Sequence, residues 1–332
     1  MALIQEAVLM SKKEPLPQLS SGKGALKNDD YTVIPQNNAT NQMARLNTKH
    51  DAKKLPFGKT QVSFKDVTAL FDGLKLGVSE TQLLDYIVVK HASDSNHDNN
   101  LAVTFKLKEY MHDRGLKDAK SAKNSLKKGL DTLVGLQVSY SGGKGNSPYN
   151  QSFGKHNLFT GYDYHRGNII VNFTPEMNQI IITQAMPMPY HKLMFKLDPK
   201  KEKTAWYIFR SLLINKRTNY GQGRADTMKI KTILSSCRNM PSYEEVMNGN
   251  RNVNDRIIQP FFKSVERLSK AFDYTFLTED GKPFNYEEGI DYDEFIKGSL
   301  VITAWKNYPD SWLKPIKEAK DKHRKGKRLN KN

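Results

Sequence analysis

One succession of elements is written twice along these 332 residues: helix, strand, helix, turn, helix, hairpin. In the first copy, SETQLLDYIVVKHA sets Leu83, Leu84, Ile87 and Val88 in one core stripe, with Ser79 and Gln82 at capping-box spacing, and is a predicted helix. LAVTFKLKEYMHDRG then predicts a short strand over Val103 to Phe105 and a helix ending near Gly115. DAKSAKNSLKKGLDTL is the next helix, with Asp118 as its N-cap candidate. LQVSY, NLFTGYDY and NIIVNF follow as β-rich runs, separated by the glycine-rich stretch SGGKGNSPYNQSFGKH, read as a loop, and by the tight turn HRGN. The second copy has a long helix in FKLDPKKEKTAWYIFRSLLINKR opening near Pro199, a short run around Met228, the helix IKTILSSC and a turn at PSYEEVM. It continues with the helical NVNDRIIQPFFKSVERLSKAF and closes with YTFLTEDGKPF, a strand with a DG turn, and with SLVITAW.

A helical pair followed by a hairpin is the composition of a winged helix-turn-helix, whose last helix enters the major groove while the hairpin lies along the backbone. The expected class is therefore α+β, with two tandem winged helix-turn-helix domains. Residues 1–60, rich in Asn, Gln, Ser, Lys, Gly and Pro, have no sustained apolar period and are expected to be a disordered extension. The expected domains are 61–187 and 188–309, and 310–332 is a basic tail with nine Lys or Arg against two acids from Lys314 to Lys331.

On the helix after Asp118, Ala119, Ala122, Leu126, Leu130, Leu133 and Leu136 share one arc, and Lys120, Lys123, Asn124, Lys127 and Lys128 fall opposite. In the matching helix of the second copy, Ile257, Phe261, Val265, Leu268 and Phe272 point inward, and Arg256, Gln259, Lys263, Arg267 and Lys270 outward; Pro260 is expected to bend this helix. The formal net charge is +17 with pI near 9.6, an imbalance that attracts polyanions. No apolar run of membrane-spanning length occurs, and MALIQEAVLMSKKEP has no basic region ahead of its apolar stretch, so a cytoplasmic nucleic-acid binder is expected.

The residues that would carry catalysis are mostly missing. The single cysteine, Cys237, excludes an internal disulfide and a multi-thiolate zinc site. Asp94, Asn96 and Asp98 have calcium-loop spacing, but Asn99 stands where the turn glycine belongs and Phe105 at the twelfth position. GKT at 58–60 lacks the first glycine of a phosphate loop. A DNA-nicking enzyme would need a metal site and a tyrosine; the chain has no HxH triplet, and alternation puts Tyr162 and Tyr164 of GYDYHRG on one face of a strand, where wing or core packing explains them. DYDE at 291–294 has no second carboxylate cluster to complete a magnesium site. No catalytic residue, metal or cofactor is expected.

LLDYIVVKHA, VTFKLKEYM, SLKKGLDTL and GNIIVNFTPE in the first copy, with TAWYIFRSLL, MKIKTIL and RIIQPFFKSVERL before YTF in the second, resemble the iteron-binding plasmid replication initiators over roughly residues 62–306. The resemblance implies a non-enzymatic initiator whose two domains contact successive major grooves of an origin repeat, which recruits host replication proteins, and which can exist as monomer or homodimer. The chain departs from the family in its long N-terminal extension, its glycine-rich stretch at 141–157 and the insertion NMPSYEEVMNGNRNVN. On this reading Lys120, Lys123, Asn124, Lys127 and Lys128 face DNA in the first domain, and Arg256, Gln259, Lys263 and Arg267 in the second. Asn124, Gln259 and Arg256 are the base-reading candidates. A rolling-circle nickase using Tyr164 and a repressor of the same fold are the alternatives.

Overall fold

The computed structural model describes residues 28–36, 53–54, 59–64, 67–72, 76–94, 97, 99–143, 151–178, 186–249, 251–284 and 289–314. Among these the chain forms two compact units, one of Val33–Pro187 and the other of residues 28–32 together with the chain from Met188 onward.

In unit one, helix α1 (Val78–Ala92) leads to β5 (Ala102–Lys106), α2 (Leu107–Arg114), α3 (Ala119–Val134) and the hairpin β8 (Phe159–His165) and β9 (Asn168–Phe173). The three strands pair antiparallel in the order β5-β9-β8. This is a winged helix-turn-helix. Its helices bury Leu83, Leu84, Ile87, Val88, Leu126, Leu130 and Leu133, each at 3% exposure or less, and each such side chain contributes about 1.5–3 kcal/mol. Gly129 allows the close approach of α1 and α3, since a Cβ there would lie 2.6 Å from Leu83 Cδ2.

Several local expectations change. Helix α1 begins at Val78, and its first turn is closed by Glu80, which accepts from the Gly77 backbone N–H at 2.8 Å. Ser79 is not the cap, and Gln82 is fully buried, where its Oε1 accepts from Arg114 Nη2 at 2.8 Å. The stretch read as a glycine-rich loop holds the end of β6 (Gln137–Gly143) and all of β7 (Gln151–Asn157). These join β2 (Lys53–Lys54), β3 (Lys59–Phe64) and β4 (Val67–Asp72) in a five-stranded antiparallel sheet of order β2-β3-β4-β6-β7. The β6–β7 hairpin ladder, which leaves no apolar period in the sequence, orders this polar stretch.

Unit two repeats the arrangement with α4 (Lys203–Thr218), β11 (Thr227–Lys229), α5 (Ile230–Ser236), α6 (Tyr243–Asn248), α7 (Gln259–Arg267), β12 (Phe272–Leu277), α8 (Tyr292–Lys297) and β13 (Ser299–Trp305). The strand order β11-β13-β12 is the same as in unit one. Helix α4 opens at Lys203 rather than near Pro199, because Asp198 Oδ1 accepts from the Lys200 and Lys201 amides and holds a turn there. PSYEEVM forms the short helix α6, capped reciprocally by Ser242 and Glu245. Phe272 is buried as expected, but as the first residue of β12, since the helix stops at Arg267.

The expected disorder of 1–60 is corrected over residues 28–36 and in β2 and the start of β3. Strand β1 (Tyr31–Gln36) pairs with β10 (Met186–His191). Tyr31, 1% exposed, packs edge-on against His191 and Tyr308. Asn28 Nδ2 donates to the Asn307 carbonyl at 2.8 Å, and Asn307 Nδ2 to Asp30 Oδ2 at 2.7 Å. One aromatic anchor and reciprocal amide bonds thus fix a segment whose composition is polar. At the other end, the tail expected from 310 is packed as far as Trp312 and Leu313, 5% and 1% exposed. Residues 1–27, 37–52 and 55–58 of the first extension and 315–332 of the tail lie outside the described residues. Among the described residues no helix is long and apolar enough to cross a membrane.

Candidate nucleic-acid interface

Helix α2 ends on Gly115, whose φ of +64° lets the chain reverse, and three residues later Asp118 starts α3 by accepting from the Lys120 and Ser121 amides. Arg114 secures this turn from inside, donating to Tyr110 Oη and Gln82 Oε1 at 2.8 Å each. Ala122, Leu126, Leu130 and Leu133 of the apolar arc are buried, although Ala119 in the first turn is exposed, and the opposite face is fixed outward. Lys120, Lys123, Asn124, Lys127 and Lys128 are all exposed.

Strand β8 runs beside this face. Lys123 Nζ sits 4.8 Å from the Tyr164 ring centroid, a cation–π contact. Tyr162 Oη donates to Asp131 Oδ1 at 2.5 Å, and Lys127 Nζ is 2.7 Å from Asp131 Oδ2. The Lys127 ammonium, and then Tyr162, hold the Asp131 carboxyl below its usual range, while Asp131 raises Lys127 and Tyr162 in turn. The two tyrosines do share one face of their strand, directed to the helix. At the hairpin tip Arg166 and Gly167 both have positive φ, 47° and 85°, the backbone of a type I′ turn, and Arg166 is exposed. Asp131, Tyr162 and Arg166 are additions to the expected set. The HRGN turn signals the last of them; nothing local signals the first two, 31 residues apart.

In unit two the helix passes through Pro260. Proline offers no N–H to the Arg256 carbonyl, and the ladder shifts by one residue just before it. Asn254–Ile258 forms a π turn in which the Gln259 N–H bonds Asn254 O. Ile257, Phe261, Val265 and Leu268 are at most 2% exposed. Arg256 and Lys263 are exposed and Gln259 is half-buried. Arg267 is a correction to the expected face. Its Nε pairs with Glu202 at the start of α4, so its charge is spent within the fold.

Residues 63–186 match the family model described as "Initiator Replication protein, WH1". No match was found among curated proteins. A solved structure of domains 2 and 3 of RctB aligns at 12% identity, covering 78% of this chain and 97% of that one with a TM-score of 0.48; a second, of RctB residues 155–483, aligns at 13% identity, covering 82% and 98% with a TM-score of 0.41. The WH1 domain of MSBI1.176, a replication protein isolated from a multiple sclerosis patient, aligns at 16% identity over 31% of this chain and 78% of that one, with a TM-score of 0.25. Residues 63–186 are thus similar to the WH1 domain of initiator replication proteins.

Proposed function

We propose that the protein initiates replication of a plasmid or similar mobile element by binding repeated sequences in origin double-stranded DNA, without cutting it. The observation that carries this reading is the α3 face of unit one, where exposed lysines and Asn124 lie beside a winged hairpin ending in exposed Arg166. Lysines displace counterions from phosphates, and Asn, Gln and Arg can read base edges, so Asn124, Gln259 and Arg256 are the proposed readers. Host replication proteins would be recruited in the cytoplasm, and a homodimer is a further state to test for.

Footprinting of the DNA flanking the gene tests the proposal. Protection of regularly spaced repeats is expected, and no protected repeat would overturn it. A second arm uses supercoiled origin DNA with Mg²⁺. Nicked circles carrying protein on a 5′ end, lost in Tyr164→Phe, would establish the rolling-circle nickase instead. Loss of plasmid maintenance when the gene is removed separates an initiator from a repressor of the same fold.

A further inference from the structure

Two segments with no part in that reading, PSYEEVM and DYDE, meet on the surface of unit two. The rings of Tyr243 in α6 and Tyr292 in α8 stack at 4.4 Å and 20°. Tyr243 and Met247, one helical turn apart on the same face, are 38% and 51% exposed, two of the few large apolar side chains exposed among the described residues. Glu244, Asp293 and Glu294 are exposed around them and take no ion pair among the described residues. Burial raises the Tyr292 hydroxyl pKa first, with Glu244 and Asp293 adding to the shift, so these carboxylates lie close to the stacked rings. The setting is exceptional for this chain. Between Ser242 and Gly298 there are twelve acids and seven bases, in a protein of net charge +17.

We propose that this face docks the chain's own basic segment, residues 314–331, with Ile316 and the lysine stems on Tyr243, Met247 and Tyr292 and the ammonium groups on Glu244, Asp293 and Glu294. Charge selects this occupant, because the segment carries nine Lys or Arg against two acids. Long basic side chains can cover aromatic surface while keeping their charge at a carboxylate. Reach is sufficient. Seventeen extended residues span about 55 Å, whereas a unit of about 145 residues has a radius of gyration near 15 Å. Tethering supplies an effective concentration on the order of millimolar, so even a weak contact is populated. Docking withholds these charges from random DNA, and a phosphate backbone competes for them. That consequence rests on the DNA-binding reading, whereas the docking itself does not.

The test uses the full chain without DNA, treated with a carbodiimide that joins ammonium and carboxylate groups in contact, followed by peptide mass spectrometry. Lysines of 314–331 are expected to join Glu244, Asp293 and Glu294 about five-fold more than the exposed Glu279 and Asp280, with the preference lost at about 0.5 M salt as the charges are screened. Glu244→Gln with Asp293→Asn is expected to remove the links at Glu294 as well, and Tyr243→Ser with Met247→Ser to reduce all of them, with thermal melts showing each variant folded. Equal yields at all exposed acids would overturn the proposal. So would links found only between isotopically heavy and light copies, which would make a second molecule the occupant. Because no DNA is present, failure here leaves the footprinting result standing, and the reverse also holds.

Discussion

Asp131 is a carboxylate inside a cationic face, and it sets what Lys127 can contribute there. The 2.7 Å pair is exposed, so it adds little stability, but each phosphate that approaches Lys127 must displace Asp131 or meet its repulsion. Asp131→Asn retains an acceptor for Tyr162 and releases Lys127. Random duplex should bind several-fold more tightly, with the salt slope steeper by about one unit, measured by fluorescence anisotropy; an unchanged slope would place Lys127 away from phosphate. A second single residue controls acid stability. Burial holds His191 down at about 4, and its Nδ1 accepts from the Leu193 N–H at 3.0 Å, a bond the protonated ring cannot make. The unfolded histidine takes up its proton near pH 6.5, the folded one only near 4. Stability is therefore complete above pH 6.5 and falls toward pH 4, by about 3 kcal/mol in all. His191→Gln should flatten that part of the melting-temperature profile relative to the parent chain; parallel profiles would show the ring to be solvated.

At the scale of elements, the β8–β9 turn has a backbone its first residue does not favour. Arg166 sits at positive φ, and an L-residue with a Cβ is strained there by about 1–2 kcal/mol, which Asn tolerates better. Arg166→Asn is thus expected to raise hairpin stability by up to about 1 kcal/mol while weakening binding to any duplex, because an exposed charge at the wing tip is lost. A gain in both stability and affinity would remove Arg166 from the interface. The helices of both winged domains were legible because their stripes face cores: Leu126, Leu130 and Leu133 are at most 1% exposed, and Asp118 caps as its position suggested. Much of what escaped the sequence depends on partners far along the chain. Gln82 serves Arg114, 32 residues on, rather than a cap, and Arg267 is drawn to Glu202, 65 residues away, whereas β7 pairs with the neighbouring β6 and was hidden by its polar, glycine-rich composition. The π turn before Pro260 was foreseeable as a bend, but its register follows from which carbonyl the proline leaves without a donor.

Charge is distributed unevenly along the chain, and under the proposed function this assigns different work to the two winged units. The lysine face of α3 stands on unit one, whereas the segment of unit two that holds α7 is acidic in sum and has lost Arg267 to an internal pair. Phosphate affinity should therefore come mainly from unit one. If about six phosphates are neutralised, log K should fall against log salt with a slope of about −5. Replacing Lys120, Lys123 and Lys128 by Ala removes three point charges, so the slope should become shallower by about 3, with similar losses on origin and random DNA. Specificity should survive that change. Arg256→Ala or Gln259→Ala, by contrast, should leave the slope almost unaltered and cost about 1–3 kcal/mol on the origin repeat alone, because a group able to bond a base edge has gone. Titrations of both variant sets on both DNAs at four salt concentrations separate the two roles. Should the triple lysine variant lose discrimination while Arg256→Ala and Gln259→Ala keep it, base reading belongs to Asn124 and its neighbours on α3, and the acidic stretch from Ser242 to Gly298 serves protein contacts.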